Sequence, residues 1–308
     1  MQRVNIATIL CPIDFSEFSR DALNHAVALA NWYRAKLTLI HVIDIPQVPL
    51  DALSGGAGAF TPPLDLDRAK VADDVRDFAR PAIGTADISM DVLITVGGPV
   101  TEIQRHAEQI HADVVVVGTH GRSGFQRFVL GSVTERLLRT IVVPLLIVPP
   151  PVMKPKTVVY DTILCPIDFS DESMRALDYA LSLAQETDAR IILLHVLEAL
   201  LDEVTPRTRN TAVLEYLREL EQDASARLMA AVPDEARTWS HPVERIVRGR
   251  AYREVLAIAE AERASLIVMG VRGRGALNRL IFGSTTEHVI REARCPVLTL
   301  HSEVAPRA

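Results

Sequence analysis

A nine-residue segment occurs twice in this chain, and the repetition constrains the fold more than any other feature. The residues Thr8-Ile-Leu-Cys-Pro-Ile-Asp-Phe-Ser16 return, letter for letter, as Thr162-Ile-Leu-Cys-Pro-Ile-Asp-Phe-Ser170. A repeat of about 150 residues has the length of a whole domain and far exceeds that of a solenoid unit. The sequence therefore predicts two copies of one domain in tandem.

A proline-rich segment separates the two copies. The residues Pro149-Pro-Pro-Val-Met-Lys-Pro-Lys156 predict a stiff linker of polyproline type. We place the domain boundary there, which gives a first domain over 1–150 and a second over 151–308.

Short apolar runs alternate with amphipathic stretches in each copy. Amphipathic patterns at Asp21–Ala35 and at Thr101–His111, the second after the helix-starting Pro99, predict helices between strands. Continuously apolar strands joined by helices are typical of a parallel sheet covered on both faces. The sequence thus predicts an α/β fold with two tandem, doubly wound, five-stranded parallel sheets, whose ligands bind at the carboxyl ends of the strands, at the switch point. The predicted strands of the first copy are Asn5–Cys11, Leu37–Ile43, Ser89–Val96, Val114–Val117 and Val142–Val148.

A glycine pattern follows the fourth predicted strand of each copy. Gly118-Thr-His-Gly121 precedes Gly131-Ser132, and Gly270-Val-Arg-Gly273 precedes Gly283-Ser284, with nine residues between the second and third glycines in both copies. Glycines allow positive φ and close backbone approach, and a helix that opens at the serine offers N–H groups and its positive dipole end. The pattern predicts a phosphate site. Further glycines of these segments are Gly124 and Gly275.

A second interpretation of the same serines needs no ligand. Ser132-Val-Thr-Glu135 and Ser284-Thr-Thr-Glu287 both match a capping box, in which serine and glutamate satisfy the first N–H groups of a helix. Capping explains neither the upstream glycine pair nor its repeated spacing, so we favour the phosphate site.

Arginines support an anion site for each segment as a whole, although for any single arginine we favour a solvated side chain. The segment 118–139 holds four arginines against one glutamate, and the segment 270–291 does the same, in a chain whose formal charge is −6. The arginines are Arg122, Arg127, Arg136 and Arg139 in the first copy and Arg272, Arg274, Arg279 and Arg291 in the second.

Composition narrows the function classes. The acidic balance, with a pI near 5.9, argues against a general nucleic-acid binder. The apolar run 141–151 is too short and too rich in proline to cross a membrane. The apolar run 4–12 lacks a cleavage signal, so we expect it to be a strand. We therefore expect a cytoplasmic protein. Three cysteines, predicted to be reduced and buried, show no metal-ligand spacing. They are Cys11, Cys165 and Cys295.

The complete motif resembles a known family. Neither a Walker A loop nor a G-x-G-x-x-G fingerprint after the first strand is present. The pattern G-2x-G-9x-G-[ST], preceded by Pro-x-Asp in the first strand, is similar to the ATP-binding branch of the universal stress proteins over essentially the whole chain. The resemblance implies a Rossmann-like fold, related to the adenine nucleotide α-hydrolases, with one ATP, which Mg²⁺ can accompany, in each copy.

The resemblance also implies the site residues. The end of the first strand meets the nucleoside, the residue after the second strand's histidine meets adenine through its backbone, and the glycine segment meets the phosphates. In the first copy these are Pro12, Ile13, Asp14, Val42, Gly118, His120, Gly121, Gly131, Ser132, Val133 and Thr134. In the second copy they are Pro166, Ile167, Asp168, Val196, Gly270, Arg272, Gly273, Gly283, Ser284, Thr285 and Thr286.

Several of these side chains have a structural alternative. Asp14 and Asp168 fit equally well as turn residues that cap the following helix. His41 and His195 are expected to pack at a strand end, and His120 to make a neutral contact, because no carboxylate is placed to orient it. We therefore predict no catalytic residue and no metal site made by the protein alone.

Two further features lie outside the motif. The Gly- and Pro-rich segment 46–67 is expected to be a disordered insertion, or else a mobile lid. The resemblance implies that the last strands of the copies, Val142–Val148 and Pro296–Leu300, pair edge to edge, so that one chain imitates a dimer and two chains can still associate.

Three functions fit these observations. The first is a cytoplasmic stress-response protein in which ATP is a bound regulator and protein partners are unknown. The second is a slow ATPase or self-phosphorylating enzyme, which lacks an evident general base. The third is a nucleotide-free interaction scaffold, against which the intact motif in both copies argues.

Overall fold

A computed structural model describes residues 4–44, 67–121, 130–150, 157–198, 211–240, 242–271 and 283–301. Strands and helices alternate in both halves of the chain. The strands are β1 Thr8–Pro12, β2 Lys36–Ile43, β3 Met90–Val96, β4 Val114–Gly118, β5 Leu145–Val148, β6 Thr162–Pro166, β7 Arg190–Leu197, β8 Val243–Arg248, β9 Leu266–Gly270 and β10 Val297–Leu300. The helices are α1 Glu17–Tyr33, α2 Arg68–Ile83, α3 Pro99–Gln109, α4 Ser132–Thr140, α5 Asp171–Thr187, α6 Thr211–Ala231, α7 Asp234–Ser240, α8 Ala251–Ala261 and α9 Ser284–Glu292.

The ten strands form one continuous sheet in the order β3-β2-β1-β4-β5-β10-β9-β6-β7-β8. Each half contributes five parallel strands, which confirms the predicted α/β class. The two sheets expected from the sequence are fused, because β5 and β10 pair antiparallel with Leu298 opposite Leu146. The predicted edge-to-edge pairing of the last strands is confirmed.

Helix α1 shows how the sequence specifies these elements. It begins after Ser16, whose side chain accepts a hydrogen bond from the N–H group of Ser19, and it buries a stripe of small and aliphatic residues. The expected start at Asp21 was four residues late, because the serine cap precedes the apolar stripe. Strand β5 begins at Leu145, later than expected, and Val142 is 49% exposed.

Two apolar layers cover the sheet and extend across both halves. Successive residues of β5 alternate between them, so that Leu146 belongs to one layer and Ile147 to the other. Each layer contains residues from both copies, and the halves therefore share their cores as well as their sheet. In the part of the chain that is described, no helix is long and apolar enough to span a bilayer.

A polar contact joins the halves beside the sheet. Tyr160, 1% exposed, precedes β6 and packs against α1, where its hydroxyl lies 2.8 Å from Nδ1 of His25. Its ring also lies 5.2 Å from that of Trp32. Burial lowers the pKa of His25 from 6.5 to about 4.

This contact predicts an acid-sensitive contribution to stability. Between pH 6.5 and about 4 the unfolded chain binds a proton at His25 that the folded chain does not, so the free energy of unfolding falls as the pH falls. We expect a loss of up to about 3 kcal/mol across this window. His25→Gln removes the titration and keeps a hydrogen-bonding group. Urea unfolding of both proteins from pH 7.5 to 4.5 checks the prediction, since parallel pH profiles would contradict it.

The three cysteines form no disulfide bonds. Cys11 and Cys165 are fully buried, and burial raises the pKa of both thiols. Cys295 is only partly buried, contrary to expectation, although desolvation still raises its pKa to about 12.

Candidate functional site

The sheet topology places a crevice at the carboxyl end of β1 in each half. From β1 the chain winds outward to β2 and β3, and β4 then begins on the other side of β1. Connections that depart on opposite sides leave a gap between the ends of β1 and β4, which is where ligands of such sheets bind. The same gap opens between β6 and β9.

A strained turn follows β1 at this crevice. Phe15 has φ of 65° and its counterpart Phe169 has φ of 62°, a left-handed conformation that is uncommon outside glycine. The carboxylate of Asp14 accepts hydrogen bonds from the N–H group of Ser16 at 3.0 Å and from its hydroxyl at 2.5 Å. Asp168 repeats both contacts with Ser170, at 3.0 and 2.6 Å.

These contacts correct one interpretation of the aspartates. Ser16, not Asp14, caps helix α1. Asp14 supports that cap through one carboxylate oxygen, Oδ1. Its other oxygen lies close to Gly121, because a Cβ added to that glycine would stand 2.8 Å from Oδ2. The structure therefore brings the end of β1 and the glycine segment together, as the motif predicted.

The first glycine of the motif serves packing. A Cβ on Gly118 would lie 2.8 Å from the carbonyl oxygen of Phe18, and one on Gly270 would lie 2.8 Å from Cβ of Glu172. This close approach is to a helix of the protein, and the predicted approach of the glycine backbone to phosphate stays a prediction. The predicted positive φ is absent at Gly118 and Gly121. Gly124, Arg272, Gly273 and Gly275 lie outside the described residues.

The helix after the glycine segment begins without a side-chain cap. Gly131 is the N-cap residue of α4 and Ser132 is already the first helical residue, and Gly283 and Ser284 occupy the same places in α9. Both N-caps lack a side-chain hydrogen bond, so the capping-box interpretation is wrong for both serines. The N–H groups of the first turn have no acceptor within the helix, and both serine side chains are exposed.

Neighbouring contacts hold this helix start against the preceding strand. The N–H group of Gly131 donates to the carbonyl of Thr119 at 2.8 Å, and the N–H group of Gly283 donates to that of Val271 at 3.2 Å. The hydroxyl of Thr134 donates to the carbonyl of Gly118 at 2.7 Å. Thr286 makes the same bond to Gly270 at 3.0 Å. Val133 and Thr285 also lie in the first turns, where the helix itself provides no acceptor for the backbone N–H groups.

His120 lies beside the crevice of the first half. Its Nδ1 atom is 2.9 Å from the hydroxyl of Thr119, and its ring lies 5.2 Å from that of Phe18. The partner at Nδ1 is a hydroxyl group, which orients the ring without activating it as a carboxylate would.

The histidines of the second strands are held by backbone. Nδ1 of His41 lies 2.6 Å from the carbonyl oxygen of Ile13, and Nδ1 of His195 lies 2.7 Å from that of Ile167. Each ring also packs against the strained phenylalanine of its half. Val42 and Val196 follow these histidines and are the penultimate residues of the same strands, next to the crevice.

Most of the arginine cluster lies away from the helix start or outside the described residues. Arg139 pairs with Glu135 at 2.9 Å, and Arg291 pairs with Glu287 at 2.7 Å. Both arginines occupy the last turn of their helix, about 10 Å along the axis from the first residue. They do not converge on the N-terminus, which agrees with the interpretation of any single arginine as a solvated side chain. Arg136 is exposed, and Arg122, Arg127, Arg274 and Arg279 lie outside the described residues.

A glutamate in the first turn of α3 reaches back to the end of β3. Glu102 accepts a hydrogen bond from the hydroxyl of Thr95 at 2.6 Å and pairs with Arg105. These contacts hold the pKa of Glu102 below its usual range, which describes a paired carboxylate. Within the described ranges, no group of three histidine, cysteine or acidic residues is placed to hold a metal ion.

The two crevices differ in what covers the strained phenylalanine. In the first half Phe78 contacts Phe15 edge to face, and the Arg20 guanidinium stacks over Phe78 at 4.0 Å. In the second half the Arg227 guanidinium stands directly over Phe169, at 3.8 Å. Neither phenylalanine was predicted to be a site residue, although both lie in the repeated nine-residue segment.

The crevices also face in opposite directions. Because β5 and β10 are antiparallel, the carboxyl ends of the two strand sets point to opposite edges of the sheet. One small ligand cannot contact both, so each half presents a separate site.

Comparison with known proteins agrees with this architecture. The model of the Universal stress protein family matches residues 5–149 and again residues 159–301. A universal stress protein of Methanocaldococcus jannaschii is 32% identical over 144 residues, which cover 46% of this chain and 82% of the relative. One of Mycolicibacterium smegmatis is 26% identical over 311 residues, which cover 95% of this chain and 96% of the relative.

A solved structure shares the tandem arrangement. The crystal structure of a universal stress protein from Archaeoglobus fulgidus superposes with a TM-score of 0.67 at 25% identity, and the match covers 97% of this chain and 100% of that one. Together with the two family matches, this likeness shows that the chain is a tandem member of the universal stress protein family.

Proposed function

We propose that each half binds one ATP molecule in its crevice and that the nucleotide acts as a regulatory or structural ligand in a cytoplasmic stress response. The observation that carries the proposal is the start of α4 and α9, which is capped by glycine alone in both halves. The N–H groups of the first turn, which have no acceptor within the helix, and the positive end of the helix dipole suit phosphate oxygens.

The nucleoside end of the proposed site lies across the crevice. Asp14 stands between the turn after β1 and Gly121, and its carboxylate is suited to accept hydrogen bonds from hydroxyl or amino groups of a nucleoside. The backbone of Val42 and that of Val196 are the proposed contacts with adenine. Mg²⁺ would reach these sites with the phosphates of ATP.

The glycine segment provides the test of this proposal. A Cβ at Gly121 would stand 2.8 Å from Oδ2 of Asp14, so Gly121→Val should displace the carboxylate or the segment itself. We expect ATP affinity in the first half to fall by about 10- to 100-fold. Gly273→Val should do the same in the second half, on the strength of the repeat.

Isothermal titration calorimetry with ATP measures both variants. The wild type should show two sites per chain and each variant one, and the unaltered half of each variant serves as its internal control. Gly98→Ala is a further control, because its added methyl group would meet only Oγ1 of Thr101, at 3.9 Å. Binding by both valine variants equal to that of the wild type would overturn the proposal.

A further inference from the structure

The histidines near the ends of β2 and β7 make the same contact in both halves. The carbonyl oxygens of Ile13 and Ile167 can only accept hydrogen bonds, so Nδ1 of each histidine carries the proton that it donates. The donor and acceptor are 28 residues apart in both cases. The contact therefore ties two neighbouring strands together through a side chain.

This contact lies where β1 leaves the sheet. The N–H group of Ile13 still donates to the carbonyl of Ile40, at 2.8 Å, and Ile167 donates to Leu194 at the same distance. Beyond this bond the chain turns away through Asp14. The imidazole therefore fixes the carbonyl of the last residue before the aspartate.

The imidazole also supports the strained residue after the aspartate. The rings of His41 and Phe15 are 4.9 Å apart, and those of His195 and Phe169 are 4.8 Å apart. A left-handed conformation at a phenylalanine persists only where surrounding contacts impose it. Each histidine thus restrains the residue before the aspartate by a hydrogen bond and the residue after it by packing.

We propose that His41 and His195 are positioning residues, which hold the aspartate turn in the orientation that receives the nucleoside of ATP. The inference rests on the proposed function and deepens it, because it assigns recognition of the nucleoside, and not of the phosphates, to this pair. Binding of the phosphates is assigned to the helix start. Among the described residues, the histidines contact the isoleucine and phenylalanine of the turn and not this helix start.

Two pairs of variants in the full chain separate the hydrogen bond from the packing. His41→Phe with His195→Phe keeps an aromatic ring and removes the donor. His41→Asn with His195→Asn keeps a donor close to the position of Nδ1 and removes the ring's outer atoms. We expect the phenylalanine pair to bind ATP about tenfold more weakly and the asparagine pair to recover most of that loss.

Inorganic tripolyphosphate is the second probe, because it has phosphates and no nucleoside. Its affinity, measured by the same calorimetry, should be equal in the wild type and both pairs. Unchanged ATP affinity in the phenylalanine pair would overturn the inference, as would an equal loss for ATP and tripolyphosphate. If the wild type binds no ATP, the proposed function itself fails, and this outcome is distinct from either of the others.

A third pair of substitutions tests the inference if the phenylalanine variant does not fold. His41→Gln with His195→Gln moves the donor outward by one methylene group, so ATP should bind more weakly to it than to the asparagine pair. Equal ATP affinity in the glutamine and asparagine pairs would then overturn the inference.

Discussion

Replacing Leu146 by aspartate is expected to cost more than about 4 kcal/mol, most of the stability of an ordinary domain. Leu146 is 1% exposed and lies opposite Leu298 at the antiparallel join of the two halves. The substitution buries a carboxylate in a hydrophobic layer and removes packing from that layer, which both halves share. Soluble yield and urea unfolding measure the effect.

Val142→Asp is the matched control for this substitution. Val142 precedes the same strand but is 49% exposed, so its replacement should change the free energy of unfolding by less than about 0.5 kcal/mol. The milder Leu146→Ala should cost about 2 to 4 kcal/mol and permits measurement if the aspartate variant is insoluble. A wild-type urea midpoint for Leu146→Asp would show that the halves do not depend on this join.

Replacing Gly118 by alanine is expected to destabilise the first half by about 2 kcal/mol. The added methyl group would stand 2.8 Å from the carbonyl oxygen of Phe18, and a backbone atom in the first turn of α1 cannot move aside as a flexible side chain can. Gly270→Ala should have a similar cost, because its Cβ would meet Cβ of Glu172 at 2.8 Å and the backbone of α5 behind it.

Urea unfolding of Gly118→Ala and Gly270→Ala is compared with that of Gly98→Ala. The comparison separates the steric clash of the added methyl group from the general cost of replacing glycine. The control keeps open space around its new methyl group and should lose less than about 1 kcal/mol, chiefly through a weaker N-cap of α3. Equal losses at Gly98 and Gly118 would mean that close approach does not explain the first glycine of the motif.

The repeated segment and the strand pattern were sufficient to predict the fold class, because apolar runs and helix periods are local properties of the sequence. The fusion of the sheets at β5 and β10 followed from the family resemblance, since no local pattern says which edge strands pair. Helix α1 began earlier than its apolar stripe because Ser16 forms the cap, and a search for serine before the stripe would have found it.

The site was predicted less completely than the fold. The glycine spacing located the helix start correctly, but it could not show that Gly131 is the cap residue and that Ser132 lies one position further on. Net charge indicated an anion site for the segment as a whole but could not say which arginines lie near it, and helix geometry places Arg139 at the opposite end of α4. The strain at Phe15 depends on a single φ angle, and the contact of His41 with Ile13 joins residues that are distant in sequence. Composition reveals neither feature.

The nucleotide content of the purified protein shows whether both halves bind ATP. The protein is prepared without added nucleotide and denatured, and released nucleotides are quantified per chain by chromatography and mass spectrometry, with an ATP titration of the native protein in parallel. If each half binds ATP, the released species should be ATP, approaching two molecules per chain, or the titration should show two sites. Mostly ADP would favour the slow ATPase instead. No released nucleotide together with no binding on titration would rule out ATP binding and leave an interaction scaffold.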